Sequence, residues 1–194
     1  ALPAYQAMWT QEPTNEEHAT EVFNCHARAH SFGPQQMVAM KMYKTFEEER
    51  YLMWAVVSLL LQVRTGGDER LLNMAEMLIR RADLLKQKPV PPEVCDLLLA
   101  VLEARGNQEA VLEAIQDGGL LDGSLQPDAD RLKRVAECHT ALAQHDKALA
   151  TYLKLIDINP DDWSYLCGYL AAYFSVHGGA GDGSAAAAEE VVTF

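Results

Sequence analysis

Apolar residues recur along this chain at steps of three and four, the spacing of one helix face. No stretch shows the period of two that marks a half-buried strand. Leu71, Ala75, Leu78, Ala82 and Leu85 are the plainest case, a single stripe along a helix predicted over 68–87. Asp68 stands where an N-cap belongs, and Arg80, Arg81, Lys86 and Lys88 gather towards the negative end of the helix dipole. The same reading predicts helices at 2–11, 15–31, 34–46, 47–64, 92–105, 107–116, 127–144, 146–158 and 161–177. Val90-Pro91-Pro92 and the glycines after residue 177 are the strongest breaks. The run YLMWAVVSLLLQV at 51–63 is nearly apolar, but it falls short of the roughly 18–20 residues that cross a bilayer and carries Ser58 and Gln62. It predicts a buried helix with Trp54 in the core.

Short helices joined by short polar turns predict antiparallel pairs stacked in succession. Leu132, Val135, Ala136, His139, Ala143, Ala148, Tyr152, Leu155 and Pro160 fall at the spacings of a tetratricopeptide repeat. Such a repeat needs large residues where its helices meet, small ones where backbones nearly touch, and a proline after its second helix. Ala136 and Ala148 are the small pair and Tyr152 fills the gap between them. His139 is the weakest member, because tyrosine or leucine is usual there. Leu98, Leu99, Leu102, Gly106 and Ala110 match a second copy with one residue deleted in the turn. Tyr5, Met8 and Pro13 match the end of another, so the chain is expected to begin inside a longer array. The expected fold class is all-α, an α-solenoid of irregular tetratricopeptide-like helix pairs over residues 1–177, with a loop between repeats at 116–127. Residues 178–194 read as a Gly/Ala-rich linker and the start of a further short helix over 185–192, too short to stand alone in water.

Composition narrows the chemistry. Of 194 residues, 49% are apolar and 23% charged, enough for a sizeable core. The net charge of −12 argues against nucleic acid, whose phosphates require an excess of Lys and Arg, and against anionic membrane surfaces. Cys25, Cys95, Cys138 and Cys167 lie in apolar helical patterns with no CxxC pair, and are expected to be reduced, buried thiols of a cytoplasmic protein. His26 and His30 stand four apart beside Cys25, a spacing that can bind zinc. Further ligands would have to come from elsewhere, for instance His18, and no HExxH occurs. Cys138 and His139 are adjacent, so on a helix they point about 100° apart and cannot act as thiol and base. RTGGDE and GGAGDGS lack the Lys-Ser or Lys-Thr of a phosphate-binding loop. Glu16-Glu17 and Glu47-Glu48-Glu49 sit at helix starts, where negative charge complements the dipole. No catalytic residue, metal ligand or cofactor site is predicted.

What remains is surface, since stacked repeats present long faces to other proteins. Asn159-Pro160-Asp161-Asp162-Trp163 marks a corner between two helices. Pro160 ends one, and Asp161 or Asp162 caps the next. Trp163 opens a stripe with Leu166, Leu170 and Phe174, while Tyr165 and Tyr169 mark a neighbouring face. Asp162, Trp163, Tyr165 and Tyr169 are the candidate partner-interface residues.

Three segments carry a resemblance. KMYKTFEEERYLMWAVVSLLLQ at 41–62, LEARGNQEAVLEAI at 102–115 and LIDINPDDWSYLCGYLAAYF at 155–174 resemble, in order and approximate spacing, the tetratricopeptide region of the auxiliary subunit of the NatB N-terminal acetyltransferase. HARAHSFGPQQMVAMKMYK and AEEVVTF are similar to its flanking helices. Glu47-Glu48-Glu49 departs from it, standing where a proline-containing turn belongs. Auxiliary subunits of that family are several times longer, so the resemblance implies one piece of such a protein. It further implies a non-catalytic scaffold that wraps a catalytic acetyltransferase subunit, for substrates beginning Met-Asp, Met-Glu, Met-Asn or Met-Gln. Acetyl-CoA then binds the partner, which leaves no cofactor for this chain, and the ribosome is reached through other parts of the full-length protein. The acetyl-CoA motif [RQ]xxGx[GA] is broken here, because Arg64 and Gly67 are followed by Glu69 where Gly or Ala is required. Two other readings stay open: a generic tetratricopeptide adaptor, and an enzyme with a metal at His26 and His30.

Overall fold

In a computed structural model describing residues 1–116, 118–124 and 128–177, ten α-helices follow one another. They are α1 (Leu2–Gln11), α2 (Glu16–Arg28), α3 (Phe32–Phe46), α4 (Glu49–Arg64), α5 (Arg70–Arg81), α6 (Pro92–Ala104), α7 (Gln108–Ile115), α8 (Asp128–Ala141), α9 (His145–Ile158) and α10 (Trp163–His177). No strand occurs among the described residues. Asn15 caps α2 by accepting the Glu17 and His18 amides, and Asn107 caps α7 through the Ala110 amide. The predicted tail helix at 185–192, its linker, and residues 117 and 125–127 of the predicted loop lie outside the described residues.

Helix positions follow the apolar pattern within a few residues, with three corrections. The predicted helix over 68–87 breaks at Ala82, whose ψ of 132° takes the chain out of the helix before a 3-10 turn at Asp83–Lys86. The cause lies 34 residues upstream, where the Glu49 carboxylate accepts the amides of Asp83 and Leu84. Its stripe is also rotated. Leu72, Ala75, Ile79, Ala82 and Leu85 are buried, while Leu71 and Leu78 are half-exposed. Lastly, α3 ends at a left-handed Glu47, φ 57°, so α4 starts at Glu49 rather than 47.

Contacts divide the chain into two compact units, residues 1–125 and the part from 126 onward. In the first, each helix packs on its neighbours in sequence, from α1 on α2 through to α6 on α7. Trp9, Ala19, Val22, Val38, Met42 and Tyr51 form the core of α1 to α4. Leu98, Leu99 and Leu102 of α6 are fully buried, and each such side chain contributes about 1.5–3 kcal/mol. Polar ties between segments distant in sequence span 29 to 35 residues. Tyr51 reaches back 35 residues to Glu16, and the Val90 amide reaches forward 34 to Ser124.

The second unit packs α8, α9 and α10 around Ala136, Ala148, Tyr152, Leu155, Tyr165 and Ala172. Helices α9 and α10 approach so closely that a Cβ on Gly168 would lie 2.3 Å from the Tyr152 ring. His139 is only 7% exposed and its Nδ1 lies 3.1 Å from Gln144 Oε1. Burial, helped by the nearby Lys147 charge, outweighs the Gln144 contact and holds its pKa below the ordinary 6.5.

Two consequences can be measured. The α6–α7 turn is closed by Gly106 at φ 66°, but the α8–α9 turn uses Ala143 at φ 54°, where a Cβ is strained. Ala143→Gly is expected to stabilise the protein by about 1 kcal/mol and Gly106→Ala to destabilise it by about as much, read from urea unfolding. Folding also favours the neutral His139 ring, so the unfolded chain binds the extra proton. Stability conferred by this group is complete above pH 6.5 and falls as the pH drops through the lowered folded value. Unfolding followed by circular dichroism across pH should show that loss in the native chain and its removal in His139→Leu.

Candidate functional site

The corner before α10 is built from two side-chain turns. Asn159 accepts the Asp161 amide at 3.3 Å, and Asp162 accepts both the Ser164 amide at 2.9 Å and its hydroxyl at 2.7 Å. Asp162 is thus the cap of α10, and the Ser164 bonds hold its carboxyl below the usual carboxylate range. Trp163 projects outward with 70% of its surface exposed. Tyr165 is 6% exposed, part of the packing against α8 and α9, and Tyr169 is half-buried against that same cluster. The four predicted interface residues therefore divide: Asp162 shapes the turn, Tyr165 and Tyr169 serve internal packing, and Trp163 alone points fully outward. Leu166, Tyr173, Phe174 and Val176 are exposed on the same helix. Cys167 is exposed and Cys25 half-buried, against the expectation of four buried thiols. Helix α10 is apolar around most of its circumference, so its sequence did not mark which side faces inward.

His26 is buried in α2, whereas His30 lies beyond the end of that helix at φ 51° with its ring edge-on to Phe32. The two do not share a helix face. Among the described residues no three His, Cys, Asp or Glu side chains gather in a way that could hold a metal ion. No helix among them is long and apolar enough to cross a membrane.

A second surface lies wholly within the first unit. A groove of about 870 Å3 runs between α4 and α6 and is flanked by the 3-10 turn. Met53, Trp54 and Val57 come from α4, Val94, Leu97 and Ala100 from α6, and Leu84 from the turn. Glu48, Glu49, Glu93 and Asp96 stand on its lining with Arg50 as the one cation. Trp54 serves two sides. Its ring packs 4.7 Å from Phe23 and 5.2 Å from Tyr51, yet it is half-buried and also forms the groove wall. Tyr51 fixes α4 on α2 by donating its hydroxyl to Glu16 Oε1 at 2.5 Å. Burial first, and then that bond, push the phenol pKa up to about 12. Arg50 binds Glu16 at 2.6 Å and Glu48 at 2.7 Å. The groove was missed in the sequence because Met53, Trp54 and Val57 read as core. The available signal was an α4 apolar all round, more than one core face can use.

Comparison with known proteins follows the same lines. Residues 1–156 match the family described as Psidin, N-terminal TPR repeats region. The N-terminal acetyltransferase B complex auxiliary subunit of Arabidopsis thaliana is 33% identical over 171 residues, which cover 88% of this chain and 16% of that protein. The NatB auxiliary subunit of Homo sapiens is 25% identical over 178 residues, 88% of this chain and 18% of its own length. The chain thus spans less than a fifth of the curated relatives it matches. A thermophilic TPR protein of Thermus thermophilus shares the fold, with a TM-score of 0.51 at 16% identity over 89% of each chain.

The groove depends on Glu49, whose carboxylate seats the turn that carries Leu84. Glu49→Ala leaves two amides without that acceptor and is expected to cost about 1–3 kcal/mol. Hydrogen exchange should speed up at Asp83 and Leu84 before it does in α5, and equal protection in native and variant chains would contradict this account.

Proposed function

The chain belongs to the family of Psidin N-terminal TPR repeat regions, and from that membership we propose that it forms part of the scaffold of a NatB-type auxiliary subunit. In this reading it carries no catalytic group of its own. It holds a catalytic acetyltransferase subunit and supports co-translational acetylation, in the cytoplasm, of proteins that begin Met-Asp, Met-Glu, Met-Asn or Met-Gln. The observation that carries the proposal is the 33% identity to the Arabidopsis auxiliary subunit over 88% of the chain. The character of the surfaces supports it. Stacked helix pairs offer faces rather than an enclosed reaction centre. Trp163, held at the head of α10 by the Asp162 cap, is proposed as a partner contact, since a large exposed aromatic ring is a common anchor in interfaces. Tyr165 and Tyr169 support that helix from within. Ribosome contact is assigned to parts of the longer protein outside these residues.

Affinity purification of the full-length protein containing this segment, with mass spectrometry, is expected to recover a catalytic acetyltransferase subunit in stoichiometric amount. Its absence would sink the proposal and leave a generic adaptor. The purified chain alone is expected to give no turnover of Met-Asp peptides with acetyl-CoA, and clear turnover would overturn the non-catalytic assignment.

A further inference from the structure

Among the described residues α10 packs on α9 and α8, and its other side is open. Tyr165 and Ala172 are buried on the inward side. Half a turn round, Leu166, Leu170 and Phe174 follow at steps of four. Leu166 is 37% and Phe174 48% exposed, and Leu170 is half-buried. Beside that stripe lie two small exposed residues, Cys167 and Ala171. A similar mixture of large and small residues lines the helix contacts inside this unit, where Ala136 and Ala148 are completely buried. No charged side chain interrupts α10 between Trp163 and His177. The sequence that follows carries a complementary pattern. Residues 178–184 include four glycines, and no proline occurs from there to residue 194. Wound as a helix at about 100° per residue, the next segment places Ala187, Ala188, Val191, Val192 and Phe194 on one face. Glu189, Glu190 and Thr193 fall on the opposite face.

We infer that residues 185–194 form an amphipathic helix that lies antiparallel on the open side of α10. Ala187 and Ala188 pass over Phe174, Val191 and Phe194 reach Leu170 and Leu166, and both glutamates stay in water. The linker suits this arrangement. Seven glycine-rich residues span about 15 Å on average, and packed helix axes are about 8–10 Å apart. The tether also keeps the tail at an effective concentration that a separate partner does not match. A second copy is opposed by the same net charge of −12. Ten helical residues extend about 15 Å, against about 22 Å for α10. The tail therefore stops short of Trp163, which remains free for the partner contact proposed above. The inference goes beyond the scaffold reading and uses only this chain.

A helix this short does not persist alone in water, so slow amide exchange in the tail requires docking. Hydrogen exchange of the 194-residue chain, followed by mass spectrometry, is the test. Exchange over residues 188–194 is expected to be at least about tenfold slower than in a free peptide of residues 178–194. Phe174→Asp on α10 and Val191→Asp on the tail are each expected to bring it within about twofold of the free peptide. Thr193→Asp adds the same charge on the polar face and is expected to leave the protection in place. Phe174 is half-exposed, so its variant keeps the core of the unit, with circular dichroism as the check. Exchange at the free-peptide rate in the native chain would overturn the proposal. So would protection that survives Phe174→Asp or Val191→Asp, or that is lost equally in Thr193→Asp. A dimer in sedimentation that Phe174→Asp dissolves would do the same, because a second copy then covers α10. No acetyltransferase takes part, so the tail can prove undocked while an acetyltransferase still co-purifies with the full-length protein.

Discussion

Close approach between successive helices is the constraint on which the rest of this structure depends. Ala19, Ala39, Ala55, Ala75, Ala136, Ala148 and Ala172 are each completely buried, one on each of α2, α3, α4, α5, α8, α9 and α10. A methyl group at the point of contact lets two backbones draw near enough for the larger residues on either side to interlock. Between α9 and α10 even a methyl is too much, and Gly168 lies under the Tyr152 ring. Within each unit most contacts join helices that are neighbours in sequence, so burial there is largely a nearest-neighbour property.

Polar groups then fix what apolar stacking leaves adjustable, namely how each pair sits on the next. Glu16 receives the Tyr51 hydroxyl, and Glu49 receives the amides of the 3-10 turn. Glu76 lies between Arg80 on its own helix and Arg105 at the end of α6. Apolar surfaces slide past one another at little cost, whereas a half-buried carboxylate with a directed donor holds one geometry. Three of the chain's 28 acidic residues, which a composition count would assign to solvent, are committed in this way.

The sequence read well wherever local rules decide. Helix spans follow from a 3.6-residue period, and Pro160, Asp162 and Asn107 mark helix boundaries by their own chemistry. It read poorly wherever a distant residue decides. Nothing near Ala82 ends a helix there; Glu49 does, from 34 residues away. The α5 register failed because Leu71 and Leu72, and again Leu78 and Ile79, are apolar neighbours, so two stripes fit the sequence equally well. Tyr165 is buried for a related reason. On α10 apolar residues occupy nearly every position, and only the tertiary fit around Tyr152 selects the inward side. The groove is the extreme case, since α4, the 3-10 turn and α6 must all be in place before it exists.

That last case bears on function. Apolar side chains in excess of what one core face can bury remain half-exposed on α4, and outward-facing ones remain on α10. Such exposure favours association, and a net charge of −12 opposes association with like chains while leaving opposite charge attractive. Some of the groups that could do covalent or acid–base chemistry are withdrawn from the surface, while Cys167 and His30 are exposed. Cys95 and Cys138 are buried, burial raises the Cys95 pKa away from the reactive thiolate, and burial lowers the His139 pKa. Apolar contact alone discriminates weakly between partners, so in any association charge at the edge of such a surface weighs more than the apolar area itself.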